Sequence, residues 1–85
     1  MRLKVLYFAQ LRERFGLAEE TLIAPESVVT IADLIHHLST RGGVWLETFT
    51  GGAAFRVAMN QDMVELDTAL ADGAEVAIFR PVTGG

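Results

Sequence analysis

Two adjacent histidines, scattered carboxylates, two serines and several glycine pairs are the residues of this 85-residue sequence with chemistry to offer. His36 and His37 are neighbours, so on a helix their side chains diverge by about 100° and cannot share one metal ion. They read as solvated histidines on a helix face. Ser27 and Ser39 have no base partner that would activate a hydroxyl, and Glu19-Glu20 point to opposite faces once they enter a strand. Neither a nucleophile nor a carboxylate dyad emerges. Gly42-Gly43 and Gly51-Gly52 belong to no Walker or dinucleotide pattern and read as chain breaks. The complete absence of cysteine removes disulfides, thiolate zinc sites, cysteine-ligated iron–sulfur clusters and thiol nucleophiles together. The expectation is no bound metal and no side-chain catalyst.

What remains is Gly84-Gly85. Two final glycines arise by chance in roughly 0.5% of chains, given average usage, and a frayed terminus is the bland explanation. The functional alternative rests on a free α-carboxylate carried by an unbranched residue. Without a Cβ, such a tail threads a narrow channel and takes backbone angles closed to other residues. Five residues beyond Arg80 reach at most ~17 Å, enough to cross a partner's surface and enter its active site. A carboxylate is a poor electrophile, so this chemistry requires activation by an ATP-using enzyme.

The elements that must position the tail follow from periodicity. Leu3–Phe8 alternates Leu3, Val5 and Tyr7 against Lys4, Leu6 and Phe8, which predicts a strand with two apolar faces. Gln10–Gly16 is short and charged and reads as a helical turn or loop closed by glycine. Glu20–Ala24 gives a second strand stopped by Pro25, forming a hairpin with the first. Ile31, Leu34, Ile35 and Leu38 make one helical stripe, with Thr30 as N-cap, Asp33 in a capping-box position and Val29 placed to staple onto Leu34. Arg41 suits the helix C-terminus and Gly42 its termination. Trp45 and Phe49 suggest a short helical turn over the end of the core. Phe55–Met59 is a third strand, Asn60-Gln61-Asp62 a turn, Met63–Leu66 a short returning strand, and Asp67–Leu70 a brief turn. Asp72-Gly73 turns the chain into a last strand, Glu75–Phe79. Pro81 lacks a backbone donor and takes the chain out of the sheet. One amphipathic helix on one sheet face makes an α+β roll.

The whole is read as a single domain over 1–85 with a flexible tail at 80–85. The net charge of −4 has the wrong sign for neutralising phosphates, so nucleic acid is not expected as a partner. The hydrophobic fraction of 51% and charged fraction of 21% fit a packed protein, and no apolar run is long enough to span a membrane. A cytoplasmic protein is the expectation. Strand parity turns Leu6, Phe8 and Phe79 away from the helix. Such aromatics are either covered by the chain's own loops or form a protein–protein surface.

The sequence resembles the MoaD-type sulfur carriers, the small subunits of molybdopterin synthase, which have a ubiquitin-like β-grasp fold with a mixed sheet on one main helix. Val5-Leu6-Tyr7-Phe8-Ala9-Gln10-Leu11-Arg12-Glu13 is similar to the family's first strand and following turn. Asn60-Gln61, Asp67, Leu70, Asp72-Gly73, Glu75–Phe79 and Pro81-Val82-Thr83-Gly84-Gly85 are similar to its C-terminal block. The resemblance implies that Gly85 is adenylated by a ubiquitin-activating-like adenylyltransferase using ATP, and that a persulfide donor then converts it to a thiocarboxylate. It implies that Pro81, Val82, Thr83 and Gly84 insert into the large synthase subunit, where sulfur passes to cyclic pyranopterin monophosphate in molybdenum cofactor biosynthesis. Two small and two large subunits would form the heterotetramer. Catalytic side chains would lie on the large subunit, leaving this chain a non-catalytic sulfur donor with no bound cofactor. Phe8, Met63 and Phe79 match the family's apolar partner contacts, and Arg12 a residue often found at these interfaces. Arg80, counted with them, stands where many members have a second proline. The alternatives are a carrier of the same fold for thiamine or tRNA thiolation, and a ubiquitin-like modifier of lysines.

Overall fold

A computed structural model describes residues 1–52 and 54–81. In chain order the elements are β1 (Arg2–Tyr7), α1 (Ala9–Phe15), β2 (Glu19–Ile23), α2 (Ile31–Ser39), α3 (Gly43–Thr50), β3 (Arg56–Met59), β4 (Asp62–Val64) and β5 (Glu75–Phe79). The five strands form one mixed sheet in the order β2-β1-β5-β3-β4. β1 and β5 run parallel at its centre, and the remaining pairs are antiparallel. Two parallel neighbours cannot be joined by a tight turn, so the intervening chain crosses over one sheet face and brings α2 with it. The result is an α+β roll of the β-grasp type.

Period-two alternation builds the core side of the sheet. Leu3, Val5, Tyr7, Val57, Val76 and Ile78 are each no more than 2% exposed, and they meet Ile31, Leu34, Ile35 and Leu38 from α2. α2 starts as its sequence predicts. Thr30 Oγ1 accepts from the Asp33 backbone N–H at 3.2 Å, and Asp33 Oδ2 accepts from the backbone N–H groups of Thr30 and Val29, each at 3.0 Å. Those donors hold the Asp33 carboxyl below the ordinary aspartate range, led by the bond from Thr30. Replacing Thr30 by Ala is expected to lower unfolding free energy by about 1 kcal/mol, measured by urea denaturation at neutral pH.

Several local expectations change. Thr40, not Gly42, ends α2, in right-handed conformation: its N–H reaches the carbonyls of His36 and His37, and its hydroxyl donates to His37 O at 2.6 Å. The last carbonyls are thereby satisfied without a left-handed residue, and Gly42, with φ 75°, instead opens α3. Val29 is 52% exposed, and Val28 is the valine that enters the core. The Gln10–Gly16 segment is a true helix, α1, anchored by buried Leu11 and closed by Gly16 at φ 66°. Its charges did not prevent this because Arg12, Glu13 and Arg14 all face outward. Trp45 and Phe49 lie on a full helix, α3, and both pack on the core.

The turns are conventional in chemistry. Asn60 and Gln61 take φ values of 50° and 73°, a two-residue loop matched to the twist of the β3–β4 hairpin. β4 is shorter than its sequence suggested and ends at Val64. Asp72 Oδ1 accepts from the Arg2 backbone N–H at 2.7 Å while Gly73 N–H donates to Arg2 O at 2.7 Å, tying the turn before β5 to the start of β1. Arg80 and Pro81 follow β5 outside any strand. Val82, Thr83, Gly84 and Gly85 lie outside the described residues, and so do most of the tail expected over 80–85 and the chemistry assigned to it.

Candidate functional site

No described residue outside the sheet covers the face opposite α2 apart from Phe8 and Gln61 at its rim. The register aligns Leu6 with Ala77, Ala77 with Ala58, and Ala58 with Met63, so one row of apolar side chains crosses four strands on that face. Phe79 sits two residues beyond Ala77 on β5, on the same side. Together with Phe8, Gln61 and Glu75, these residues apart from Met63 line a groove of about 280 Å³. Phe8 is 47% and Met63 58% exposed, while Phe79 is half-buried. The chain's own loops therefore do not cover Phe8, and an apolar surface remains of the kind that proteins usually reserve for a partner.

Local backbone geometry helps to present this face. Ala9 begins α1 at φ 47°, a left-handed conformation that costs a non-glycine residue about 1–2 kcal/mol, directly after exposed Phe8. The Phe8 N–H donates to Ile78 O at 3.3 Å, so β1 stays registered to β5 up to that bend. Arg80 Nη1 donates to Gln10 Oε1 at 3.4 Å and links the residue after β5 to α1. Phe8, Met63 and Phe79 thus share one face, and Arg80 and Pro81 stand at the end of β5 where the tail begins. Arg12 is exposed on α1 and does not line the groove.

Behind the groove, the end of β1 is held by a network that includes Glu20 and Arg41, the latter expected at the C-terminus of α2. Tyr7 Oη donates to Glu20 Oε2 at 2.7 Å. Arg41 donates to both Glu20 oxygens, at 2.8 and 2.7 Å, and its guanidinium lies 4.4 Å from the centre of the Trp45 ring. Trp45 in turn stacks on Phe15 with centroids 3.8 Å apart and meets Tyr7 edge-on. Arg41 therefore serves β2 and α3 rather than the C-terminus of α2. The one clue in the sequence was an aromatic-rich set at Tyr7, Phe15 and Trp45, which no local periodicity connects.

Arg41 holds the Glu20 carboxyl below the usual glutamate range, helped by the Tyr7 hydroxyl, while burial and then Glu20 push the Tyr7 phenol upward. A carboxyl whose pKa falls on folding stabilises the native state above its unfolded value, and that contribution disappears as pH drops through the folded value. Arg41→Ala is therefore expected to destabilise the fold most near neutral pH. The gap from wild type should narrow below the ordinary value of 4.5, as read by thermal melts across pH.

Among the described residues, no three His, Asp or Glu side chains stand close enough to hold a metal ion, and no helix is long and apolar enough to cross a membrane. His36 is exposed and His37 half-buried on α2, and the Ser39 hydroxyl is occupied by His36 O at 2.6 Å. Among the described residues, the arrangement presents an apolar surface bordered by Phe79 and followed by Arg80 and Pro81.

Known proteins give this arrangement its setting. The molybdopterin synthase sulfur carrier subunit of Escherichia coli is 40% identical over 83 residues, spanning 98% of this chain and 99% of that protein. A solved Pyrococcus furiosus structure, described as molybdopterin converting factor subunit 1, superposes with a TM-score of 0.79 at 31% identity, covering 96% of this chain and 99% of that one. Small archaeal modifier protein 1 from Haloferax volcanii superposes with a TM-score of 0.75 at 25% identity, covering 95% and 98%. With the ThiS family model matched over residues 5–85, the mixed five-stranded sheet and the relatives agree: this chain belongs to the ThiS family.

Proposed function

We propose that this chain is the sulfur-carrier subunit of a molybdopterin synthase, acting in the cytoplasm. The 40% identity across 98% of this chain to a protein of that role carries the reading, and the ThiS family match runs over residues 5–85. The apolar face supports it by offering a docking surface for a large subunit, with β5 ending at Phe79 on that face.

The chemistry resides in the main chain. The Gly85 carboxylate attacks the α-phosphorus of ATP on a ubiquitin-activating-like adenylyltransferase, releasing pyrophosphate and leaving an acyl-adenylate. The outer sulfur of a persulfide attacks the acyl carbon and displaces AMP, giving an acyl disulfide, and a thiol then cleaves the persulfide's own S–S bond, freeing the thiocarboxylate and leaving a disulfide on the donor. Pro81, Val82, Thr83 and Gly84 carry that sulfur into the large subunit, where it passes to cyclic pyranopterin monophosphate and water restores the carboxylate. Two such carriers flank a dimer of large subunits. Phe8, Met63, Phe79, Arg12 and Arg80 serve docking, and the acid–base groups belong to the large subunit.

Intact-mass spectrometry after incubation with the activating enzyme, ATP and a sulfur donor is expected to show a gain of about 16 Da on Gly85, oxygen replaced by sulfur. No gain with a verified activator overturns the carrier reading. The likeness to the archaeal modifier favours one second reading, isopeptide attachment to lysines, which would appear instead as higher-mass conjugates. A carrier for thiamine or tRNA thiolation would gain the same mass but fail to convert the pterin substrate.

A further inference from the structure

The uncovered face is ordered in charge along β5. Glu75, Ala77 and Phe79 point outward from that strand in turn, so an acid, a methyl group and an aromatic ring follow one another over about 13 Å. Glu75 lines the groove and is half-buried, and its backbone N–H is held by Asn60 Oδ1 at 3.0 Å. Its neighbour across β1, Lys4, is turned to Glu19 at 3.2 Å, and no ion pair among the described residues uses the Glu75 carboxylate. At the other end Arg56 is the register partner of Phe79 on the same face, and Arg80 follows Phe79 directly. Among the described residues, Arg80 meets the neutral Gln10 amide and neither Arg80 nor Arg56 has a carboxylate partner. In a chain with eleven acidic and seven basic residues, two cations after and beside Phe79 and one acid at the far end of the groove thus have no ion-pair partner among the described residues.

We propose that this polarity sets the direction in which the partner subunit docks, a proposal that rests on the carrier reading above. The occupant is a protein surface that places an apolar side chain in the groove, carboxylates opposite Arg56 and Arg80, and a lysine or arginine opposite Glu75. Charges on a face that loses water on docking must find opposite charges, and a reversed pose sets like charges against each other while the apolar contacts stay much the same. The apolar row supplies adhesion in either pose. Only the charge order separates them, and the matched pose is the one that turns the tail root toward the partner's carboxylates. A polyanion does not fit, because Glu75 and the net charge of −4 repel it.

The test is calorimetry of the full-length carrier with the large synthase subunit, at low and physiological ionic strength. Arg56→Glu and Glu75→Lys are each expected to raise Kd about tenfold or more and to flatten its salt dependence. Glu75→Gln should act more weakly in the same direction, and melting curves should show all three folded. Wild-type binding with unchanged Kd and salt dependence in both reversals, while Phe79→Asp weakens it, overturns the docking-direction proposal and leaves the carrier reading standing. Absence of wild-type binding overturns the carrier reading itself. If the reversals alter only self-association in sedimentation, the occupant is a second copy of this chain and the proposal falls.

Discussion

Deleting Gly85 is expected to reduce sulfur transfer to background while leaving the fold and the affinity for the large subunit unchanged. One residue of extended chain spans ~3.5 Å, so the carboxylate now carried by Gly84 stops that far short of the site where the acyl group must react. Misplacement by ~1 Å can cost about 100-fold in rate, and a shortfall of a whole residue exceeds that several times over. Among the described residues, none that makes the core lies beyond Ile78. Single-turnover conversion of the pterin substrate measures the first effect, and calorimetry the second. Substantial transfer by the truncated chain would move the reacting group away from Gly85.

Phe79→Asp should have the opposite profile, a carrier that can still be thiocarboxylated in isolation but docks poorly. The ring sits on the uncovered face and lines the groove, whereas Val76 and Ile78, on the same strand, fill the core. The substitution therefore removes an aromatic anchor and would bury a carboxylate beside Arg56 and Arg80, where it competes with the partner's carboxylates in the dehydrated complex. Kd is expected to rise by about 100-fold, equivalent to about 2.7 kcal/mol. Val29→Asp, on an exposed valine beside α2, is the control and should leave Kd unchanged. An unchanged Kd for Phe79→Asp would remove this face from the docking site.

These expectations depend on different kinds of information. The alternation in Leu3–Phe8 and Glu75–Phe79, and the Thr30–Asp33 capping box, were legible because each rests on contacts within a few residues. α1 and α3 were underestimated for the same reason. α1 is anchored by Leu11 and by Phe15 stacked against Trp45, and α3 by a Trp45 that also meets Tyr7, partners 30 or more residues away in sequence. The end of α2 differs from the expectation at Gly42 because Thr40 satisfies the last carbonyls with both its N–H and its hydroxyl, an arrangement that only the folded chain shows.

By itself the sequence determined that thiol chemistry is unavailable, since the chain has no cysteine. It also determined which face of each strand is apolar, because side chains alternate with period two whatever the strands' order. Tertiary structure decided that Leu6, Ala77, Ala58 and Met63 form one row and that Glu75 and Arg56 mark its two ends. It likewise decided that Arg41 reaches across 21 residues to Glu20. Pairing partners and register are set by hydrogen bonds and packing between segments distant in the chain. Which outward-facing residues become neighbours is therefore a property of the assembled sheet.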